Sequence, residues 1–208
     1  MVRPFFKPLA MHFCLILLFL NINWVTPEVI NKNVDRILNL SSQLAKETLK
    51  ITAADDAGKQ FNKYSLVIPE EFVSALSYVS VKDAKKKELN VRKETKNDLT
   101  YFNVELPAAT TSQDLYVELV YSRAVKPYPE EIKQSEKQLV KYNGFLYFYT
   151  PYKTVEQKTQ VVLSSSNVIT YNQTKPYNLA GSKIKYGPYE NIEGMFTRNV
   201  LKVELEVY

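Results

Sequence analysis

The chain has 208 residues, of which 45% are hydrophobic and 24% charged, with a formal net charge of +5. This length suits one sizeable domain or two small ones. The only His and the only Cys, His12 and Cys14, lie near the N-terminus. The rest of the chain therefore lacks the usual proton shuttle and thiol nucleophile, and it can form no Cys or His metal site. With five glycines and a small net charge, neither a phosphate-binding loop nor nucleic-acid binding is indicated, so no cofactor is predicted.

The opening segment is typical of a secretory signal peptide. Arg3 and Lys7 precede a continuous apolar run, Phe13 to Leu20, and polarity returns at Asn21. The run is far shorter than the roughly 20 residues of a membrane anchor. We therefore predict a signal peptide at residues 1–25 and one β-sandwich region at residues 26–208. An uncleaved signal anchor or a buried helix is the alternative. Loss of the two basic residues of the signal leaves a net charge of +3.

Two tripeptides have the form of N-glycosylation acceptors in a secreted chain, Asn39-Leu40-Ser41 and Asn172-Gln173-Thr174. We expect Asn172 on an exposed loop, because it lies between a predicted strand and the Lys175-Pro176 turn. Asn39 falls in an alternating stretch, Ile37 to Leu40, where a strand could restrict access to its side chain. Both are predicted glycosylation sites, with Asn172 ranked above Asn39.

The segment Gln43 to Ile51 fits two kinds of secondary structure. Leu44 and Thr48 share a helix face with its last residue, whereas Leu49 and Ala53 alternate with that residue as in a strand. Because the neighbouring segments have strand patterns, we favour the strand.

Alternation of apolar and polar residues, the pattern of a half-buried strand, dominates the rest of the chain. It is clearest at the C-terminal end, where Leu201, Val203, Leu205 and Val207 face one way and charged residues face the other. The same pattern predicts strands at Tyr64 to Ile68, Ser77 to Val81, Tyr101 to Leu106, Leu115 to Tyr121, Thr159 to Leu163 and Val168 to Tyr171.

Charge is most concentrated between Lys82 and Lys96, a stretch with seven basic and three acidic residues. A solvated loop and strand face is the favoured interpretation. The alternative is a surface that attracts anionic lipid headgroups or the pyrophosphate of a lipid-linked sugar donor.

The segment after Pro127 and Pro129 is predicted to begin with a short helical turn at Glu130 to Lys137. Its adjacent acids, Glu130 and Glu131, favour the start of such a turn rather than the carboxylate pair of a glycosidase.

A β-hairpin is predicted next, with strands Gln138 to Tyr142 and Phe145 to Thr150 on either side of an Asn143-Gly144 turn. Asn-Gly is the strongest short hairpin signal, because both central residues of a type I′ turn need positive φ. The aromatic side chains of this segment suit a core, a protein interface or a surface for glycan stacking. They are Tyr142, Phe145, Tyr147, Phe148, Tyr149 and Tyr152.

Seven to ten short strands separated by turn signals predict an all-β fold, a β-sandwich-like antiparallel domain with short helical turns. No arrangement of nucleophile and base supports catalysis by this chain.

Three motifs in the second half of the chain resemble the ribophorin I family. Its pattern there is a His/Lys-Pro-Tyr-Pro turn, Gln-Ser-Glu-Lys-Gln and Tyr-Phe-Tyr-Ser-Pro-Tyr at similar spacing, and the resemblance extends from about Asn33 to Tyr208. In this chain the motifs read Lys126-Pro127-Tyr128-Pro129, Gln134-Ser135-Glu136-Lys137-Gln138 and Tyr147-Phe148-Tyr149-Thr150-Pro151-Tyr152.

The resemblance implies a non-catalytic subunit of oligosaccharyltransferase on the lumenal side of the endoplasmic reticulum membrane. The implied partners are the other subunits, including the polytopic catalytic one, and nascent polypeptides near the translocon. The family has a later lumenal region, a transmembrane anchor and a cytosolic part, and no second hydrophobic span precedes Tyr208. A free secreted β-sandwich module that binds glycan or protein is the alternative function, and co-purification with the catalytic subunit separates the two.

Overall fold

The computed structural model describes residues 28–133, 136, 138–194 and 200–207, and most of these residues lie in β-strands. The all-β prediction is thereby confirmed. The described residues form one short helix, α1, at Glu70–Val73. The strands are β1 Val29–Leu40, β2 Ala45–Asp55, β3 Phe61–Pro69, β4 Leu76–Lys82, β5 Asn90–Lys96, β6 Leu99–Thr110, β7 Ser112–Tyr121, β8 Val125–Tyr128, β9 Gln138–Phe145, β10 Thr154–Leu163, β11 Val168–Tyr171, β12 Tyr177–Ala180, β13 Lys183–Ile192 and β14 Val200–Val207.

The largest sheet has seven strands in the order β12-β13-β10-β1-β2-β7-β4. Its central pair, β1 and β10, is parallel, whereas the other neighbours in this sheet are antiparallel. The ambiguous segment Gln43 to Ile51 enters β2, and Leu49, Ile51 and Ala53 are buried on one side of that strand. The strand interpretation is therefore correct and the helix alternative is wrong.

One face of this sheet, here called the inner face, carries much of the hydrophobic core. Leu38 of β1, Ile51 of β2, Leu115 of β7 and Val161 of β10 are all fully buried there. Every strand predicted from alternation lies within an observed strand, because period-two patterns place alternate side chains on opposite faces. At the C-terminal end, Leu201 and Val203 are buried as predicted.

Two smaller sheets cover the inner face. One has the order β3-β6-β5 and the other β11-β14-β9-β8. Tyr64 of β3 and Tyr142 of β9 are both buried within the same hydrophobic cluster as the inner-face residues. The layers of the sandwich are therefore one large sheet on one side and two small sheets on the other.

The predicted hairpin at Asn143-Gly144 is wrong. Strand β9 continues through both residues, which pair with Lys202 and Leu201 of β14. Neither residue has a positive φ, and the Tyr142 ring lies directly over Gly144 on the same face of the strand. Because Gly144 has no side chain, the Tyr142 ring can lie over it, and the residue forms no turn.

The second strand of that hairpin is also wrong. Only Phe145 belongs to a strand, and residues 146–153 form an irregular connection to β10. The tyrosines and phenylalanines of this connection still alternate between buried and half-buried positions.

Two other predictions concern segments near or beyond the described residues. The signal peptide at 1–25 lies outside them, so its boundary with the 26–208 region stays a prediction. The turn predicted at Glu130 to Lys137 contains one backbone hydrogen bond, from the Glu136 N–H to the Lys133 carbonyl, while positions 134, 135 and 137 lie outside the described residues. Within the described ranges, no helix has the length and apolar character needed to span a bilayer.

Candidate functional site at the junction of the three sheets

A charged pair lies in the middle of the apolar inner face. Arg36 of β1 and Glu47 of β2 are diagonal neighbours, because Arg36 pairs with Leu49 and Leu38 pairs with Glu47. The Arg36 Nε donates to Glu47 Oε1 at 2.6 Å, and the side chains are 4% and 6% exposed. A charge so far from water requires a partner. Arg36 and Glu47 each supply this partner to the other.

Burial of the guanidinium works to lower the pKa of Arg36. The Glu47 charge, the two neighbouring tyrosines and the hydrogen bond to Glu47 together outweigh that effect, so the pKa lies above its ordinary value. Two tyrosines lie beside the pair, and burial raises the pKa of both phenols, to about 12 for Tyr142 and well above the ordinary value for Tyr121. At neutral pH the pair is therefore a salt bridge surrounded by un-ionised phenols.

The guanidinium also binds the connection after β9. Its Nη1 donates to the carbonyl oxygens of Phe145 and Leu146 at 2.6 and 3.1 Å. Gln157 of β10, which is fully buried, donates from Nε2 to the same Leu146 carbonyl at 3.2 Å and accepts from the Phe148 N–H at 3.0 Å. Buried main-chain groups need hydrogen-bond partners. Here they find them on side chains rather than on a neighbouring strand.

A third polar residue extends this arrangement to the three-stranded sheet. A bulge at Lys32 shifts the register of β1 so that Asn31 faces inward, opposite Ala53. Asn31 Nδ2 donates to Thr150 Oγ1 at 3.3 Å, and Asn31 Oδ1 accepts from the Tyr64 hydroxyl at 2.9 Å. The side-chain amide of Asn31 thus links β1 to the connection after β9 and to β3.

Tyr152 completes the link from the other side. Its hydroxyl oxygen accepts the Ser65 N–H of β3 at 2.9 Å, and its ring lies 4.8 Å from that of Tyr64. The region in which Asn31, Arg36 and Gln157 bind the end of β9 and the connection after it, with Glu47 paired to Arg36, is called the sheet junction below. Its aromatic part, Tyr147 to Tyr152, is one of the three motifs singled out in the sequence.

The sheet junction borders a cavity of about 40 Å³, which Arg36, Glu47, Tyr142 and Phe145 help to line. A water molecule occupies about 30 Å³ of liquid, whereas small-molecule sites measure roughly 300 to 1,000 Å³. The cavity can hold about one water molecule, and the hydrogen bonds beside it stabilise the fold.

The predicted aromatic cluster is divided between core and surface. Tyr142 and Phe148 are buried, whereas Phe145, Tyr147 and Tyr149 are half-buried. Phe145 stacks on Tyr149 with ring centroids 5.4 Å apart. These residues therefore serve mainly as core, and their half-buried edges form a strip of surface that is both apolar and polar.

A wider groove of about 750 Å³ lies between the turn after β1 and strand β8. Leu44, 46% exposed, Val125 and Val140 provide apolar surface there, and Arg123 and Lys126 are the charged residues. No carboxylate in the described part of the chain pairs with either cation.

The basic stretch Lys82 to Lys96 forms an exposed loop followed by the edge strand β5, as the solvated interpretation predicts. The Asp83 carboxylate accepts the N–H groups of Lys85 and Lys87, which shapes the loop. The Lys86 ammonium lies over the Tyr116 ring, 2.7 Å from its centroid. These contacts are internal to the chain and indicate no ligand.

The two predicted glycosylation sites belong to different parts of the sandwich. Asn39 lies in the large sheet and Asn172 follows a strand of the four-stranded sheet, and no hydrogen bond within the described residues joins them. Asn39 is half-buried near the end of β1, and its Oδ1 accepts from both the N–H and the hydroxyl of Ser41. Asn172 follows β11 in a loop, as predicted, but it is half-buried because its Oδ1 accepts the Lys202 N–H of β14. Glycosylation at either residue stays a prediction.

Sequence reasoning missed the polar residues of the sheet junction. Their signal was present, since Arg36 interrupts the inward series Val34, Leu38 and Leu40, and Glu47 interrupts a similar series in β2. A charged residue at an inward position of a central strand indicates a buried partner.

In the described part of the chain, no group of three or more Cys, His, Asp or Glu residues could hold a metal ion.

Comparison with known proteins identifies relatives by sequence. The family model described as Ribophorin I matches residues 29–207. The dolichyl-diphosphooligosaccharide–protein glycosyltransferase subunits 1A and 1B of Arabidopsis thaliana are 26% and 30% identical, over 80% and 76% of this chain. Subunit 1 of Caenorhabditis elegans is 27% identical over 84% of this chain. The chain spans 30%, 37% and 30% of the lengths of these three relatives.

Comparison by structure gives a likeness of fold alone. Yeast leukotriene A4 hydrolase, in its native form and in complex with bestatin, matches with TM-scores of 0.51 and 0.53. The matches cover 85% and 86% of this chain, 29% and 28% of the hydrolase, and 7% of aligned residues are identical. At this identity the shared feature is the arrangement of sheets, and no activity follows from it.

Proposed function

Because this chain belongs to the ribophorin I family, we propose that it serves as an accessory component of the oligosaccharyltransferase complex, supporting transfer of lipid-linked oligosaccharide to Asn residues of nascent proteins. The observation that carries this proposal is the family match over residues 29–207, nearly the whole described chain. The relatives are named as subunits of the dolichyl-diphosphooligosaccharide–protein glycosyltransferase. These names favour the complex over a free secreted module.

The geometry of the sheet junction supports this assignment. The aromatic motif that resembles the family, Tyr147 to Tyr152, forms the connection that joins all three sheets through Arg36, Gln157 and Asn31. Because this motif holds the sheets together, its presence indicates a shared fold rather than a shared catalytic site.

Within the complex, this chain has a non-catalytic role. Beyond residue 14 its sequence contains no His and no Cys, which removes the commonest general base and the thiol nucleophile. The cavity at the sheet junction, about 40 Å³, is too small for a sugar donor. Catalysis then belongs to a polytopic partner subunit, and this chain contributes protein contacts.

The proposed location is the lumenal side of the endoplasmic reticulum membrane. The signal-like segment at residues 1–25 would direct the chain there. Its partners are the other subunits of the complex and nascent polypeptides near the translocon.

Affinity purification tests the proposal. The full-length chain, tagged at its C-terminus and expressed in cells, should co-purify with the catalytic subunit in mild detergent. A matched control lacking residues 1–25 should remain in the cytosol and lose this association. Recovery of the full-length chain from the medium alone, without any transferase subunit, would contradict the proposal.

A second measurement tests the non-catalytic role. The purified chain, free of other subunits, should transfer no oligosaccharide to an acceptor peptide. Transfer by that preparation would show that the role assigned here is wrong.

A further inference from the structure

The strand β14 closes over the Asn172-Gln173-Thr174 acceptor after that acceptor has been synthesised. Two hydrogen bonds join the residues: the Lys202 N–H donates to Asn172 Oδ1 at 2.5 Å, and the Asn172 N–H donates to the Lys202 carbonyl at 3.2 Å. The side-chain carbonyl and the main-chain N–H of the acceptor are thus both held by one residue 30 positions downstream.

Strand β13 holds the same tripeptide from another direction. The Tyr186 hydroxyl donates to the Asn172 carbonyl at 2.9 Å, and the Tyr189 hydroxyl donates to the Thr174 carbonyl at 2.6 Å. Beyond the tripeptide, the Gly187 N–H donates to the Pro176 carbonyl at 2.9 Å. The backbone of the acceptor is therefore bound at three points, in addition to its side chain.

These bonds conflict with use of the tripeptide as an acceptor. In the transfer step, Asn172 Nδ2 forms a bond to C1 of the sugar while the C1–O bond to the lipid diphosphate breaks. The diphosphate leaves with the bonding electron pair and Nδ2 loses a proton. The requirement for Ser or Thr at the third position means that the enzyme also contacts Thr174. The whole tripeptide must therefore separate from β13 and β14 to enter an active site.

We propose that Asn172 is an acceptor only in the nascent or locally unfolded chain, and that docking of β14 ends its availability. Before β14 exists, β11 has no neighbouring strand in its sheet, because the described order is β11-β14-β9-β8. Synthesis from Asn172 to Lys202, 30 residues at about 5–20 residues per second, leaves an interval of about 1.5 to 6 s. Strand β14 cannot dock before that interval has passed, so the acceptor stays open for at least this long.

Folding restricts access to Asn39 through different strands. Its strand partners are Lys46, seven residues later, and Val162 in β10. A two-stranded hairpin is marginally stable by itself, so β1 becomes fixed only as further strands join the sheet. Asn39 therefore serves as an internal comparison whose closure does not depend on Lys202.

The test uses a matched pair of variants at one position. Lys202→Pro removes the N–H that binds Asn172, whereas Lys202→Ala removes the same side chain and keeps the N–H. The full-length chain is made by cell-free translation without membranes, allowed to fold, and then given detergent-solubilised oligosaccharyltransferase and its lipid-linked donor. Mass spectrometry of peptides measures occupancy at Asn172 and Asn39. Chain freshly diluted from urea gives the occupancy of the unfolded state.

We expect folded wild-type chain and Lys202→Ala to be modified at Asn172 at least about ten-fold more slowly than unfolded chain, because reaction requires local opening. Lys202→Pro should approach the unfolded rate at Asn172 and leave the rate at Asn39 unchanged. If Lys202→Pro fails to fold, Tyr186→Phe combined with Tyr189→Phe removes two of the other donors without a change of shape, and it should raise the folded rate several-fold.

Two results would overturn the proposal. One is modification of folded wild-type chain at Asn172 as fast as unfolded chain, which would mean that β14 does not close the site. The other is failure of the unfolded chain to accept a glycan at Asn172, which would mean that the tripeptide is not an acceptor.

Discussion

Arg36 in β1 and Lys93 in β5 occupy equivalent places in their strands, yet their surroundings are opposite. Each lies on the core-facing side, Arg36 between Val34 and Leu38, and Lys93 opposite the buried Phe102 of β6. Arg36 is 4% exposed and donates hydrogen bonds to Glu47 and to two main-chain carbonyls, whereas Lys93 is exposed. The same local pattern thus gives a buried ion pair in one strand and a solvated charge in the other.

The difference lies in the position of each strand within its sheet. Strand β1 has β2 and β10 on either side and two smaller sheets packed on its inner face, so a charge there must find partners inside the protein. Strand β5 is an edge strand with one neighbour, β6. An inward-pointing charge on an edge strand stays in water and discourages pairing with another chain. Burial of a charge on a strand therefore depends on the neighbours of that strand.

The largest effect is expected from Arg36→Leu. It leaves the Glu47 carboxylate buried without its partner and removes the donor to Phe145 and Leu146. Breaking a buried pair from one side costs about 3–5 kcal/mol of unfolding free energy. Urea unfolding followed by circular dichroism measures this loss. The control is Lys46→Ala, which breaks the exposed Lys46–Glu118 pair and should cost less than about 1 kcal/mol.

The paired variant Arg36→Leu with Glu47→Leu sharpens this test. Because neither charge then remains buried alone, we expect it to recover much of the stability lost by the single variant. Equal stability of Arg36→Leu and Lys46→Ala would show that the buried pair does not differ from a surface pair.

The next largest effect is expected from Gly144→Val, a substitution beside the sheet junction. A Cβ atom at Gly144 would lie 2.6 Å from Cζ of the Tyr142 ring, so Gly144→Val forces that ring from its place. Overpacking of this kind costs about 1–3 kcal/mol, measured as a lower urea midpoint. Adding Tyr142→Leu should restore part of the loss by removing the clash. Strong destabilisation that Tyr142→Leu does not relieve would indicate a different cause.

Alkaline titration gives a smaller effect with a defined direction. Burial raises the pKa of Tyr142 to about 12, from an ordinary value of 10.0. Between these values the unfolded state ionises and the folded state does not. Titration of this residue therefore leaves the unfolding free energy unchanged below pH 10. As pH rises toward 12, it lowers that free energy by up to about 1.4 kcal/mol per pH unit. Urea midpoints at a series of pH values measure the slope, and Tyr142→Phe should make it shallower. An unchanged slope in that variant would contradict the assignment.

The smallest effect on stability is expected at the edge strand. Lys93→Val replaces a solvated side chain, so the unfolding free energy should change by less than about 0.5 kcal/mol. Loss of the inward charge should instead expose an apolar edge and increase self-association. Light scattering over a range of concentrations measures this, with Lys96→Val as a control at the end of the same strand. A loss of stability comparable to that of Arg36→Leu would remove the distinction between the two strands.

The sequence by itself determined the strands whose two faces have different surroundings. Period-two patterns at residues 101–106, 115–121 and 201–207 identified β6, β7 and β14, because a sheet with one buried face selects apolar residues at alternate positions. The three motifs around Lys126, Gln134 and Tyr147 likewise indicated the family, because motifs and their spacing are read directly from the order of residues.

Only the tertiary structure decided the course of the chain through Asn143-Gly144 and the role of the polar residues on the inner face. The dipeptide has the composition of a turn, but pairing with β14 and the Tyr142 ring over Gly144 give it a strand conformation. Arg36 and Gln157 bind a connection that is more than 100 residues from Arg36 in sequence and close to Gln157. Local propensity is weaker than these long-range hydrogen bonds, because a buried carbonyl without a partner costs more than an unfavourable turn preference.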